Sequence, residues 1–159
     1  MKIFKFKLNK GFMMVEILVA ISIITVSVLA AMSVTGKSIY IARESLHQAQ
    51  VALLLEEGSE AVRIMRDNAW SNISGLDITK DYYPVFSDGT WALSIIPSQV
   101  GIFTRKVNIA TVYRNAEDNI FTSGTLDNGT KKITVTVSWN EGGQIITKTL
   151  AFYISDIFS

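Results

Sequence analysis

No cysteine occurs anywhere in the 159 residues, so no disulfide braces this chain and Cys-His catalysis is closed to it. Histidine is nearly as scarce. The one copy, His47, falls on an expected helix and reads as a solvated helix residue, because a Ser-His-acid triad would need a pocket that a domain this small seldom builds. No glycine-rich phosphate loop precedes a helix, and no metal-ligand spacing stands out. Proline is limited to two residues, and none interrupts the N-terminal half. The net charge is only +1, and Lys2, Lys5, Lys7 and Lys10 crowd into the first ten positions. Without those four, 11 basic residues face 14 acidic ones, a net −3, so no general basic partner surface remains. These absences exclude most enzyme classes, and the chain is read as non-enzymatic, with no cofactor and no metal.

What is abundant is apolar sequence. From Phe12 to Val34 the residues are almost all apolar, broken only by Glu16 and the hydroxyls of Ser22, Thr25, Ser27 and Ser33. That length suits a membrane-spanning helix. A secretory signal peptide has a shorter apolar core, ~7 to 15 residues, and here only Val28-Leu29-Ala30 offers a weak exit site. An uncleaved anchor explains the length and the flanking lysines, but leaves Glu16 without a reason. A carboxylate at the centre of a bilayer costs on the order of 2.5–3.5 kcal/mol, and less near the interface, so its retention points to a partner and a task. Cutting between Gly11 and Phe12 would create a cationic α-amino group four residues upstream of Glu16. Two such helices side by side could pair the Phe12 nitrogen of one copy with the Glu16 carboxylate of the other. A wrong stagger would leave both charges unpaired, so the pair would act as a register device more than as net stabilisation.

Lys10, Gly11, Phe12 and Glu16, followed by the apolar run Ile17 to Ala31, resemble the class III leader of type IV pilins and type II secretion pseudopilins. The resemblance implies that a prepilin peptidase in the membrane cuts after Gly11 and that the new amino terminus at Phe12 is methylated. It also implies that Glu16, the fifth mature residue, forms the assembly salt bridge. Implied partners are other pilin subunits through their N-terminal helices, the inner-membrane assembly platform and the membrane itself. The disulfide-bounded loop near the C-terminus of many pilins is unavailable here, and the exported domain must rely on packing or on bound metal. Major pilins often carry a proline in the membrane half of the helix, and this chain has none there. The runs Glu57 to Trp70 and Lys131 to Trp139 look more like minor pilins and pseudopilins than like a major fibre subunit.

After Val34 the apolar residues Ile39, Ala42, Leu46, Ala49 and Leu53 recur at helical spacing, and Leu54, Gly58, Ala61 and Met65 continue a stripe. One helix is expected from about Phe12 to Arg66, with Glu60–Arg63 and Arg63–Asp67 pairing along its solvated side. Gly58 is read as a close helix-to-sheet approach in preference to a hinge. Turn signals follow at Asp67-Asn68 and Asn72 to Gly75. Strands are expected at Tyr82 to Phe86, Thr90 to Ile96 and Phe103 to Tyr113, then in a hairpin of Ile133 to Trp139 and Ile145 to Ile154 about the turn Asn140 to Gly143. Asn115 to Gly129, rich in Asn, Asp, Thr and Gly, reads as a surface loop.

The expected fold is α+β, a long N-terminal α-helix with a membrane half and an amphipathic half, packed on a small antiparallel β-sheet as in type IV pilins. The domains are a cleaved basic leader, 1–11; the transmembrane and assembly half of the helix, 12–35; and an exported globular domain, 36–159. The leader lysines place the N-terminus in the cytoplasm and the remainder outside, before assembly into an extracytoplasmic or cell-surface fibre. The expected function is a structural subunit of a type IV pilus or a type II secretion-like fibre. The alternative is an uncleaved single-pass protein with an extracytoplasmic β-rich ligand-binding domain. Three minor readings accompany these. Asp118 and Asp127 could hold calcium, although loop acids are usually solvated. Asn72-Ile73-Ser74 and Asn128-Gly129-Thr130 are glycosylation sequons with a high chance rate. Arg105, Lys106, Arg114, Lys131 and Lys132 make at best a small patch, so nucleic acid is not expected as a partner.

Overall fold

The computed structural model describes residues 10–158, with side chains from Met13 to Phe158; the leader lysines Lys2, Lys5 and Lys7 lie outside the described residues. Helix α1 runs Lys10–Asn68, and the chain divides into two compact units, 1–47 and 48–159. The first unit is the apolar half of α1. The second contains the rest of α1, a one-turn helix α2 (Ser71–Ser74) and seven strands: β1 Tyr83–Ser87, β2 Thr90–Ser94, β3 Gln99–Val100, β4 Phe103–Arg114, β5 Ile120–Phe121, β6 Thr125–Glu141 and β7 Gln144–Ser155. The architecture is therefore α+β, a long N-terminal apolar helix with antiparallel sheets.

Strands β1 and β2 form a separate two-stranded sheet, while the main sheet runs in the order β3-β4-β6-β7 with β5 paired to the end of β4. Its strands alternate because one face is buried. Phe103, Arg105, Val107 and Ile109 of β4 and Ile133, Val135, Val137 and Trp139 of β6 point inward, with more exposed residues between them. The β6–β7 hairpin turns at Gly142 and Gly143, whose φ values of 59° and 88° suit the two-residue turn that matches strand twist.

The sheet's inner face is covered by one side of α1. Val51 and Leu54 pack with Phe103, Val137 and Trp139, the Phe103 and Trp139 rings meeting edge to face at 5.8 Å. Farther along, Val62 and Met65 join Ile73, Tyr82, Val107, Ile109, Ile133, Val135 and Ile154. Gly58 lies between these clusters. A Cβ there would sit 2.8 Å from Val135 Cγ1 and 3.2 Å from Arg105 Cδ, so the close approach expected of this glycine is what the structure shows.

Four expectations are corrected. The first stripe is not buried: Ile39, Leu46 and Leu53 are all exposed, and within the second unit Leu53 lies about 140° around the helix from Gly58 at 100° per residue. Asn72 to Gly75 is not an open turn but includes α2, held by the buried Ile73 and by the Asn72 amide, which donates to the Met65 carbonyl at 3.0 Å. Asp67 pairs with Arg66, not Arg63; the Arg63 guanidinium lies 5.3 Å from the Phe152 ring centre while also pairing with Glu60. The segment 115–129 is largely organised: β5 and the first residues of β6 both pair with the end of β4, after a register shift between Thr111 and Val112.

Candidate functional site

The residues expected to carry function sit at the start of α1. Gly11 and Phe12 lie in its first turn by backbone conformation, and their side chains are outside the described residues. Glu16 follows one turn later, exposed on a helix whose neighbours Met13, Met14, Val15, Ile17, Leu18 and Val19 are equally exposed. Val15, Val19, Ala20 and Ile23 line a shallow open groove with Glu16, formed because the small Ala20 leaves a dip between larger side chains. A carboxylate in such a setting has apolar surface on both sides and, among the described residues, no cationic partner.

The apolar half of α1 is long and apolar enough to cross a membrane: its most apolar window has a mean hydropathy of 2.6 and none of it is buried. Five of its hydroxyls are satisfied within the helix. Ser22, Thr25, Ser27, Thr35 and Ser38 each donate to the carbonyl four residues back, at 2.7–2.9 Å. Glu16 is then the one acid in the first four turns of an apolar segment.

Most of the polar residues singled out in the second unit are engaged in the fold. Asp118 and Asp127 do not form an open oxygen cage. The Arg114 Nε donates to Asp127 Oδ2 at 2.7 Å and its Nη1 to the Asp118 carbonyl at 2.8 Å, and no group of three or more His, Asp or Glu residues suited to a metal occurs among the described residues. Of the five basic residues, four are buried or paired, and Lys132 is exposed. Arg105 is buried under α1, Lys106 pairs with Asp81 at 3.0 Å, Arg114 is committed to Asp127, and Lys131 is buried. At the sequons, the Asn72 amide is engaged as described, and Thr130 is buried.

Arg105 is the feature that residue-by-residue reading missed. It is 4% exposed, donates to Glu57 at 2.6 Å and to the Leu54 carbonyl at 3.4 Å, and lies 5.6 Å from the Trp91 ring centre. One guanidinium therefore ties α1, the main sheet and the β1–β2 hairpin together, although its buried Nε has no partner. Removing Glu57 strands a buried guanidinium, whereas replacing Arg105 by an apolar chain of similar size leaves a half-exposed carboxylate that water can solvate. Glu57→Ala is expected to cost about 2 kcal/mol, tempered by the half-exposure of Glu57, and Arg105→Met less than about 1 kcal/mol. Denaturant unfolding of the two variants would reverse that order if the pair were only decorative.

Acid should loosen the second unit from its loops. The Asn108 amide and the Lys106 ammonium hold the Asp81 carboxyl below its usual range; Arg114 and then the Thr130 hydroxyl do the same for Asp127. A carboxyl with a depressed folded-state pKa stabilises the fold above its unfolded value, about 4, and this contribution fades as pH falls through the folded value. Thermal midpoints are therefore expected to drop as pH is lowered from about 5 to 3, and Asp127→Asn should flatten that slope.

Comparison with protein-family models, with characterised proteins and with solved structures finds no match to this chain.

Proposed function

We propose that this chain is a non-enzymatic structural subunit of a type IV pilus or a type II secretion-like fibre, cut by a prepilin peptidase after Gly11 and methylated at Phe12. The observation that carries the reading is Glu16, one acid in an exposed, apolar helix, five positions after Gly11. In the membrane this helix faces lipid, and in a fibre it packs against sister helices. Extraction exchanges one apolar setting for another, so an ATP-driven machine need supply only the difference. The Glu16 carboxylate then meets the amino group of a neighbouring Phe12, and the axial stagger that pairs them is favoured over staggers that do not.

The leader lysines and the apolar half of α1 support single-pass insertion with the N-terminus inside. Among fibre subunits we favour a minor pilin or pseudopilin, on the likeness of Glu57 to Trp70 and Lys131 to Trp139 to those sequences. The exposed row Ile39, Leu46 and Leu53 extends the apolar surface of α1 beyond the membrane half and suits the flank of a neighbouring helix in a bundle. Replacing Gly11 by a bulky residue tests the processing step. Gly11→Leu is expected to accumulate as the full-length precursor on immunoblots of membranes, and normal processing of that variant would count against the site.

A further inference from the structure

The two edges of the main sheet are treated differently. The outer edge of β4 is occupied in pieces, by β3 at Phe103 and Thr104, by a Tyr82–Val107 bridge, and by β5 at Tyr113 and Arg114. Among the described residues no strand pairs with the outer edge of β7 along its 12 residues. The Asp156 amide donates to the Gly129 carbonyl at 2.8 Å, which fixes the alternation. Even-numbered residues of β7 bond to β6, and the N–H and C=O groups of Ile145, Thr147, Thr149, Ala151, Tyr153 and Ser155 point outward. All six residues are exposed. Edges left free are usually protected by proline, a bulge or several charges, and β7 has no proline and one charge, Lys148.

We propose that this edge pairs with the same edge of a second copy of the chain, antiparallel, about a two-fold axis through Phe152. Charge selects that register. Lys148 lies on the helix-facing side opposite Val137, and Asp156, opposite Gly129, continues the same side four residues beyond Phe152. Among the described residues neither is in an ion pair. Of all registers in which β7 meets its own copy with the faces kept, only the one centred on Phe152 sets Lys148 opposite Asp156, and the symmetry does so twice. The same register places Ala151 opposite Tyr153 and Thr149 opposite Ser155 on the outer side, and lets the outward groups form about eight backbone hydrogen bonds.

The axis turns the second copy end for end. Within the second unit α1 passes from Phe103 and Trp139 towards Ile133 and Ile154, roughly along the strands, so the paired copies carry their helices in opposite directions. The contact therefore joins copies from separate assemblies and does not compete with a bundle of parallel helices. An edge of this length buries less than a stable dimer needs, so the pairing is weak and gains from many copies in a row.

The test uses the full-length chain in detergent micelles, with self-association followed by sedimentation over a concentration series. Lys148→Glu and Asp156→Lys should each weaken association about tenfold, because two attractive pairs become repulsive. A one-to-one mixture of the two variants should regain it, since each then supplies the charge the other lacks, and the double variant should regain it alone. Association mediated by α1 would be indifferent to all of these changes. Absence of concentration-dependent association in the parent, equal association of the single variants, or failure of the mixture to recover would each overturn the pairing.

Discussion

Gly58→Leu is expected to destabilise the second unit by about 3 kcal/mol or more, lowering its thermal midpoint by roughly 10 °C. The added side chain has nowhere to go. A Cβ alone would approach Val135 Cγ1 to 2.8 Å, and Val135 is fully buried on the central strand β6. The flexible Arg105 stem at 3.2 Å can shift, but doing so pulls its guanidinium from Glu57. Even Gly58→Ala should lose stability, because the gain in helix propensity, about 1 kcal/mol, falls short of the cost of overpacking. Gly36 is the contrast: nothing lies within 4 Å of a Cβ there, so Gly36→Ala meets no overpacking cost and should not lower the midpoint. A Gly58→Leu protein that melts with the parent would show that α1 does not dock on the sheet at this point.

Glu16→Ala is expected to leave cleavage and membrane insertion intact and to reduce incorporation into fibres by at least about tenfold, the equivalent of roughly 1.4 kcal/mol of lost preference for the correct stagger. Glu16→Gln should behave the same way, since it keeps the shape and removes only the charge. The assay is the ratio of fibre-associated to membrane-associated protein in sheared cells. Parental incorporation of either variant would sink the register role of Glu16, while leaving the processing site to be judged separately.

Much of the fold was legible because its signals are periodic. The apolar run and its continuation imply one long helix, and α1 spans Lys10–Asn68. Alternation over Phe103 to Tyr113 and Ile133 to Trp139 implies half-buried strands, and β4 and β6 contain them. Periodicity failed where two stripes shared one helix. Ile39, Leu46 and Leu53 look as fit to pack as Leu54 and Met65, and only the position of the sheet decides between them. It also failed where polar residues satisfy one another. Asn115 to Gly129 has loop composition, but the Arg114–Asp127 pair and the Asp127 acceptor for the Gly129 N–H organise much of it.

Arg105 shows the same limit at the level of one side chain. The strand period places it on the inward face with Phe103 and Val107, which was a signal of burial, yet its partner Glu57 lies 48 residues away in sequence. Glu16, Gly11 and Phe12 behave differently. Their reading depends on spacing along a single helix, so the sequence carries it, and the structure adds that Glu16 lies exposed beside an apolar groove.

The most direct test of the fibre-subunit reading is the intact mass and N-terminal peptide of the protein purified from its own membranes. The reading requires a chain that begins at an N-methylated Phe12. An intact Met1, or a start near Ala31, would contradict it and leave an anchored or secreted domain with a different task.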